Sequence, residues 1–516
     1  MKTLNLLFLR LFILLLLLNP SIVFSQVDDY TDYHKIRNEG LNNSHIHELA
    51  IQLTDIIGPR LSGSEGFNNS ILWAEEALND MGVVAKAEPW GEFGNGWQME
   101  KFYVAMKEPY YQPLIAVPQA WSGSTNGFTQ AEVVLVNAKT KEDLEVYTDK
   151  LSGKIVITPH ENELEVSFKP SATRFSDEDL ERYDNAPEYR ADTDPYMQER
   201  KYSNSSGNDY LSYSDFKDFC EAEGAIALIE KSGSFGTVRS GGDRHGRLLE
   251  KLGMPIIDMT HEHYARMVRL IDRDVKVQLE LDVKNRLVKD DIQGYNVIAE
   301  IEGSDRKLKD EVVMIGAHID SWHPGTGGND NGSGVVVMME VMRILKESGV
   351  KLDRTVRLAL WGNEEQGLHG SRNWASKNIY NWDTNEEGPE FDKISAYYNF
   401  DYGTGRIRGI FLHDNFALKP IFDEFFKPVE DLGVFVTSMR NPGSSDHVVF
   451  NRVGIPGFAF IQDRIDYGRG YHTNMDTYER IQQGDLKQAA VVVSSLVYQT
   501  ANYSEKLPRK DVFLEN

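Results

Sequence analysis

Cysteine is almost absent. Cys220 is the only one in 516 residues, so no intramolecular disulfide can form, and stability must come from a core or from bound metal. Within Phe216-Lys217-Asp218-Phe219-Cys220-Glu221-Ala222 it reads as a buried helix residue rather than a nucleophile. Positive charge is also scarce: 55 Lys and Arg stand against 79 Asp and Glu, a formal net charge of −24. That balance argues against nucleic acid or an anionic membrane surface as partner, because both need a basic patch. Beyond the first 25 residues no segment is apolar enough to cross a membrane. The His-Glu-x-x-His spacing that sets two imidazoles on one helical face is missing too, since His261-Glu262-His263 does not have it. That triplet and Asp243-Arg244-His245 read as surface polar groups, and His45 and His47 as solvated imidazoles.

What is present fits a soluble globular chain with room for more than one domain, 41% apolar and 26% charged. A short basic start through Arg10 leads into the apolar run Leu11 to Leu18, ended by Asn19-Pro20. Val23-Phe24-Ser25 then forms a cleavage pattern before Gln26. Residues 1–25 are therefore expected to direct export, to the periplasm or outside the cell, and to be removed. An uncleaved anchor is the alternative, disfavoured because the run is shorter than a span of about 20 residues.

Along the chain, Tyr30 to Ile57 reads as polar helix, Gly58-Pro59-Arg60-Leu61-Ser62-Gly63-Ser64 as a loop, and Asn69 to Met81 as an amphipathic helix. From Pro113 to about residue 272 short β-like runs replace this texture, which marks a separate module set into the main domain. Inside it, 171–209 is densely charged and poor in aliphatics, an exposed insertion ordered only if something covers it. Val275 to Leu281 is expected to return to the main domain, where strands then alternate with helices to the end. The strands are Tyr295–Ile301, Val312–His318, Thr355–Trp361, Ala396–Phe400 and Pro456–Ile461. The helices are Ser333–Lys346, Gly370–Lys377, Leu418–Phe426 and Gln483–Ala501. Alternation of this kind implies an α/β fold, a mixed and mostly parallel sheet covered by helices on both faces.

Chemistry gathers where those strands end. His318-Ile319-Asp320 and Gly328-Asn329-Asp330-Asn331-Gly332-Ser333-Gly334 follow one apolar strand, and Glu364-Glu365 follows another. On an irregular loop adjacent carboxylates point apart, so Glu365 can bind metal while Glu364 faces an attacking water as its base. Asp401 closes a third strand, and Gly470-Tyr471-His472-Thr473 adds a late imidazole. Two His, an Asp able to bridge, a further Asp and a Glu make the mixed nitrogen and oxygen set suited to a pair of zinc-like ions.

These motifs resemble peptidase family M28, the aminopeptidase and glutamate-carboxypeptidase-like zinc exopeptidases. The likeness rests on His318-x-Asp320-Ser321, Gly328 to Gly334, Glu364-Glu365, Asp401, Tyr471-His472-Thr473 and the opening Gly58 to Ser64. It implies a zinc-exopeptidase, phosphorylase/hydrolase-like fold with an inserted β-rich protease-associated domain. The division would be signal 1–25, peptidase 26–112, insert 113–272 and catalytic part 273–516. It implies two Zn2+ ions, one on His318 and Asp401, the other on Glu365 and His472, with Asp330 bridging. Asp320 would orient His318, and Tyr471 resembles a tyrosine that donates to the tetrahedral oxyanion in some members. Ser445-Asp446-His447 matches a family motif that is structural or substrate-lining.

The function implied is a di-zinc exopeptidase acting on a peptide or dipeptide, with an aminopeptidase expected first and a carboxypeptidase or dipeptidase next. A one-zinc glutaminyl-cyclase-like enzyme and a non-catalytic receptor-like protein are the rivals. No ligand or base is missing here, which disfavours the latter. Arg440, Asn441, Arg464 and Arg469 are candidates to pair with a substrate carboxylate. A homodimer is one state such a chain could adopt.

Overall fold

The computed structural model describes residues 30–160, 164–185, 211–232 and 235–511. The export segment 1–25 and the 186–209 part of the charged segment lie outside the described residues.

Eight strands form the first sheet, in the order Val84–Glu92, Gln293–Ile301, Thr355–Trp361, Val312–His318, Ile394–Asn399, Gly457–Gln462, Ile407–Phe411, Val436–Ser438. Its centre is parallel: Val312–His318 lies between Thr355–Trp361 and Ile394–Asn399, and Gly457–Gln462 continues the run. Val84–Glu92 with Gln293–Ile301, Gln293–Ile301 with Thr355–Trp361, and Gly457–Gln462 with Ile407–Phe411 pair antiparallel, and the edge strand Val436–Ser438 joins Ile407–Phe411 in parallel. The alternation of side chains along a strand sends them to two cores. Val313, Ile315 and Ala317 face the helices Glu65–Asp80, Ser333–Glu347 and Gln483–Ala501. Val312 and Met314 face the other way, toward Trp374 of the helix His369–Asn378 and Phe450 of His447–Asn451. The central helix Ser333–Glu347 is buried on almost every side, so its charged pair is internal: Arg343 Nε donates to Glu340 Oε2 at 2.8 Å.

Elements here match the sequence closely. The strands Val312–His318 and Thr355–Trp361 and the helix Gln483–Ala501 have the expected bounds. The single helix expected over 30–57 is instead broken, Thr31–Asn42 being followed by a bend and a second helix from Ile46, and its last turn, Gln52–Ile57, is widened. At Ser64, the side chain caps the next helix by accepting from Phe67 N at 3.2 Å, so that helix starts at Glu65 rather than Asn69.

A second sheet, also of eight strands, carries Gln112–Pro113, Gly96–Glu108, Gln278–Val288, Thr129–Leu135, Ile155–Ile157, Ala227–Lys231, Ile256–Met259 and Ala116–Pro118 in that order. Its strands thus come from 96 to 288. The strand expected to return to the main domain after Val275 instead pairs along its length with Gly96–Glu108 and at its start with Thr129–Leu135. Cys220 is fully buried in the helix Tyr213–Ala222, and burial pushes its thiol up to about 12, which fits an inert core residue. His261 is not the surface group expected: it is buried, edge-on to His160 with ring centroids 4.4 Å apart.

Candidate active site

The site lies at the carboxyl ends of the central strands, the edge where a parallel sheet presents its loops. His318 is the last residue of Val312–His318 and is 1% exposed. Its Nδ1 lies 3.0 Å from the Asp320 carbonyl, which fixes Nδ1 as the donor. Nε2 then faces outward, 3.1 Å from Asp401 Oδ1 and 3.3 Å from Asp330 Oδ1. His472 Nε2 does the same on the other side, 3.0 Å from Glu365 Oε2 and 3.2 Å from Asp330 Oδ2. Asp330 therefore stands between the two imidazoles, one oxygen toward each.

Two neutral imidazoles presenting lone pairs to three carboxylates repel them unless a cation intervenes. Without a metal a proton must serve. Burial pulls His318 down, but Asp401 and Glu364 hold it well above its usual value. His472 is likewise lowered by burial yet pushed up to about 9 by Glu365 and Asp330. Asp330 would be raised by burial, but the two imidazoles hold it below the usual carboxylate range. Glu365 Oε1 is buried without a hydrogen-bond partner among the described residues, and ligand atoms of His318, Asp330 and Glu365 lie within 4.8 Å of one another. The donor set fits divalent metal of the zinc type, nitrogen and carboxylate oxygen together.

Local backbone sets these positions. Gly334 must be glycine, because a Cβ there would stand 2.4 Å from both Asn331 Oδ1 and the Phe400 carbonyl. Asn363, at φ 64°, turns the chain after Thr355–Trp361 so that Glu364 and Glu365 diverge. Both of their amides are held by the Asp320 carboxylate, Glu364 N to Oδ1 at 3.0 Å and Glu365 N to Oδ2 at 3.1 Å. Asp320 thus supports His318 through its carbonyl, its carboxylate lying 3.7 Å from Nδ1, while that carboxylate shapes the glutamate turn. Burial beside Asp401 and Asp446 raises the Glu364 carboxyl well above its usual value, and His318 partly offsets this. Tyr471 stacks on His472 with centroids 3.7 Å apart, and burial raises its phenol.

Several residues outside the expected ligand set support it. Arg60 is fully buried and braces the ligand loops, donating to the carbonyls of Ile319 at 2.8 Å, Thr326 at 2.7 Å and Gly327 at 2.8 Å. Asp476 accepts from the amides of Asn329 and Asp330. Trp322 Nε1 donates to Glu365 Oε2 at 2.9 Å. Ser445 donates to Asp401 Oδ2, leaving Oδ1 to face His318. The glycine-flanked Gly58 to Ser64 loop was the one hint of Arg60. From the second sheet's side, 238–240 is stitched to the His472 loop: Ser240 N donates to His472 O at 3.1 Å and Asn474 N to Val238 O at 3.0 Å. That clamp holds His472 at φ 58°, a left-handed conformation costly for a non-glycine residue. The Arg239 guanidinium lies 4.8 Å over the Tyr471 ring. Of the candidate carboxylate binders, Arg440 and Arg464 lie over the rings of Tyr183 and Phe175, and Asn441 Oδ1 is 2.7 Å from His413 Nδ1.

Comparison with known proteins agrees with this geometry. The profile described as peptidase family M28 matches residues 296–497, which hold every one of the ligand candidates. Carboxypeptidase Q of Bos taurus is 24% identical over 496 residues, 94% of this chain and 90% of that protein. For carboxypeptidase Q of Pongo abelii and of Homo sapiens the matched stretch spans 52% of the relative's length. Aminopeptidase YwaD of Bacillus subtilis is 27% identical over 310 residues, 58% of this chain and 62% of that one. Among solved structures, a peptidase M28 precursor from Shewanella amazonensis superposes with a TM-score of 0.65 at 24% identity, covering 93% of this chain and 98% of its own. BSAP, a zinc aminopeptidase from Bacillus subtilis, gives 0.54 at 20% identity, covering 88% and 94%. These last two are likenesses of fold.

Proposed function

Since residues 296–497 match peptidase family M28, we propose that the chain is a zinc-dependent metallopeptidase of that family, a two-zinc exopeptidase cleaving a terminal peptide bond, with His318, Asp330, Glu365, Asp401 and His472 as its ligands. One observation carries the reading: Asp330 offers one oxygen toward each of two imidazole nitrogens that already face a second carboxylate. Each side of Asp330 is then a half-site of imidazole, bridging carboxylate and private carboxylate. Measuring bound zinc per chain tests it; one ion at saturation refutes the pair.

Zinc, when bound, supplies Lewis-acid polarisation of the substrate carbonyl and acidifies water. The residues supply the rest. Glu364, diverging from Glu365, takes a proton from the attacking water and returns it to the leaving amine. The Tyr471 hydroxyl is the donor for the developing oxyanion, and Asp320 positions Glu364 and Glu365.

We read the substrate end as amino-terminal on the likeness to aminopeptidase YwaD of Bacillus subtilis. A carboxyl-terminal reading has its own observation: Arg239 is exposed over Tyr471, with no ion pair to it among the described residues, and is placed to receive a free carboxylate. Peptides blocked at one end or the other separate the two; cleavage of an N-acetylated peptide with a free carboxylate overturns the first. Export is part of the proposal, and N-terminal sequencing of the protein recovered outside the cytoplasm should begin at Gln26.

A further inference from the structure

The charged segment expected to lie exposed over 171–209 is, in its described part, bound to the catalytic sheet. After Ile155–Ile157 of the second sheet the chain crosses over, and Thr173 N donates to the Ile465 carbonyl at 2.8 Å. Arg174 Nη1 donates to Asp463 Oδ2 at 2.8 Å and to Asp485 Oδ2 at 2.6 Å, and both carboxylates are buried. Ser176 and Asp179 form a reciprocal cap that starts the helix Asp177–Asp184. Leu180, 1% exposed, packs with Phe411, Val436 and Ile461 of the catalytic sheet, and Asp184 Oδ1 accepts from Thr437 N at 3.1 Å. A strap with this many anchors is a fixed part of the catalytic region.

Strap and sheet enclose a cavity of about 520 Å³. Phe175 and Tyr183, edge-on at 5.2 Å, form its outer wall, and Tyr402 and Tyr467 line it from the catalytic side. Tyr402 follows Asp401 directly. The Tyr467 ring is 5.4 Å from that of Tyr471, and its carbonyl accepts from Asn329 Nδ2 at 3.4 Å, next to Asp330. The cavity therefore adjoins the ligand cluster. Gln462 also lines it; its Nε2 donates to the Gly403 carbonyl at 3.0 Å, while its buried Oε1 has no donor among the described residues.

We propose that the strap is a specificity-determining wall: with the catalytic sheet it forms a subsite for a large aromatic side chain at the cleaved terminus. Aromatic rings on both walls give the offset and edge-on contacts that another ring prefers. The inference rests on the peptidase reading and deepens it.

The test uses the zinc-loaded protein on peptides differing only in the residue at the cleaved terminus, tyrosine, phenylalanine, leucine or alanine. The wild type should favour tyrosine over alanine by roughly tenfold or more in kcat/KM, and Phe175→Ala or Tyr183→Ala should cut that ratio roughly tenfold. Phe175→Leu, which keeps the strap packed, should give an intermediate ratio. Calorimetric binding of L-tyrosine against L-alanine reads the subsite without turnover. An unaltered ratio, or equal losses for tyrosine and alanine, overturns the subsite. If no peptide is cleaved yet L-tyrosine binds in a Phe175-dependent way, the peptidase reading falls and the subsite stands.

Discussion

Both eight-stranded sheets bury paired acids at strand ends, and they resolve the charge in opposite ways. In the second sheet, Glu230 and Asp258 are bridged by one amide, Gln119 Nε2 donating to Glu230 Oε2 at 2.8 Å and to Asp258 Oδ1 at 3.0 Å. Burial raises both, Asp258 up to about 7, and neutral partners let such a pair settle the matter by keeping a proton. In the first sheet the acids face imidazole nitrogens, whose lone pairs cannot be satisfied by carboxylates, so the same residue chemistry demands a cation. Whether a buried acid cluster signals metal is thus decided by what faces it.

Metal removal should split the two most sharply. Chelation abolishes turnover, and added zinc restores it. Amide exchange should accelerate at the loops following His318, Trp361 and Gly470, while Ala227–Lys231 stays protected. Loss of a ligand held at a hundred times its Kd costs about 2.7 kcal/mol, seen as a fall in Tm. Equal deprotection of both sheets would break the comparison.

Next in size is Glu364→Gln, expected to lower kcat by roughly 10²- to 10⁴-fold with zinc content unchanged. Its counterpart Asp258→Asn should leave kcat within about twofold, because Asp258 touches no ligand.

That same Asp258→Asn change sharpens the contrast through pH. A carboxyl raised from 3.8 to about 7 in the folded state contributes stability that is full below pH 4 and lost as pH rises through 7. The wild type should therefore lose up to a few kcal/mol relative to the variant between pH 4 and 8, measured by urea denaturation at each pH.

The smallest effect expected is that of Arg239→Ala on turnover of a C-amidated peptide. An exposed guanidinium over an aromatic ring is worth about 0.5–1 kcal/mol, a two- to fivefold change in kcat/KM. A loss of a hundredfold would mean that the second sheet supplies a group essential to the reaction.

The first sheet was legible because buried parallel strands read as uninterrupted apolar runs, as in Val312 to Ala317, and because its candidate ligands stand just beyond them. The second was misjudged at its edges. Gly96–Glu108 and Gln278–Val288 are half-exposed antiparallel strands in which Gln98, Lys101, Lys284 and Arg286 interrupt the apolar pattern, so neither announces its full length. Site residues with local signatures could be read. Arg60 and Arg239 could not, since their roles arise from contacts across 259 and 232 positions of chain, which no short motif records.

The Arg174 anchor has a consequence for how such a chain can be inherited or engineered. Cutting out 96–288 as a cassette would remove the cation nearest to two carboxylates at the heart of the catalytic region, leaving Asp463 with Arg408 at 3.5 Å and Asp485 with Arg406 at 3.4 Å. Recombination that swaps one region without the other is thereby penalised. The two sheets are separate in hydrogen bonding but form a single unit of exchange.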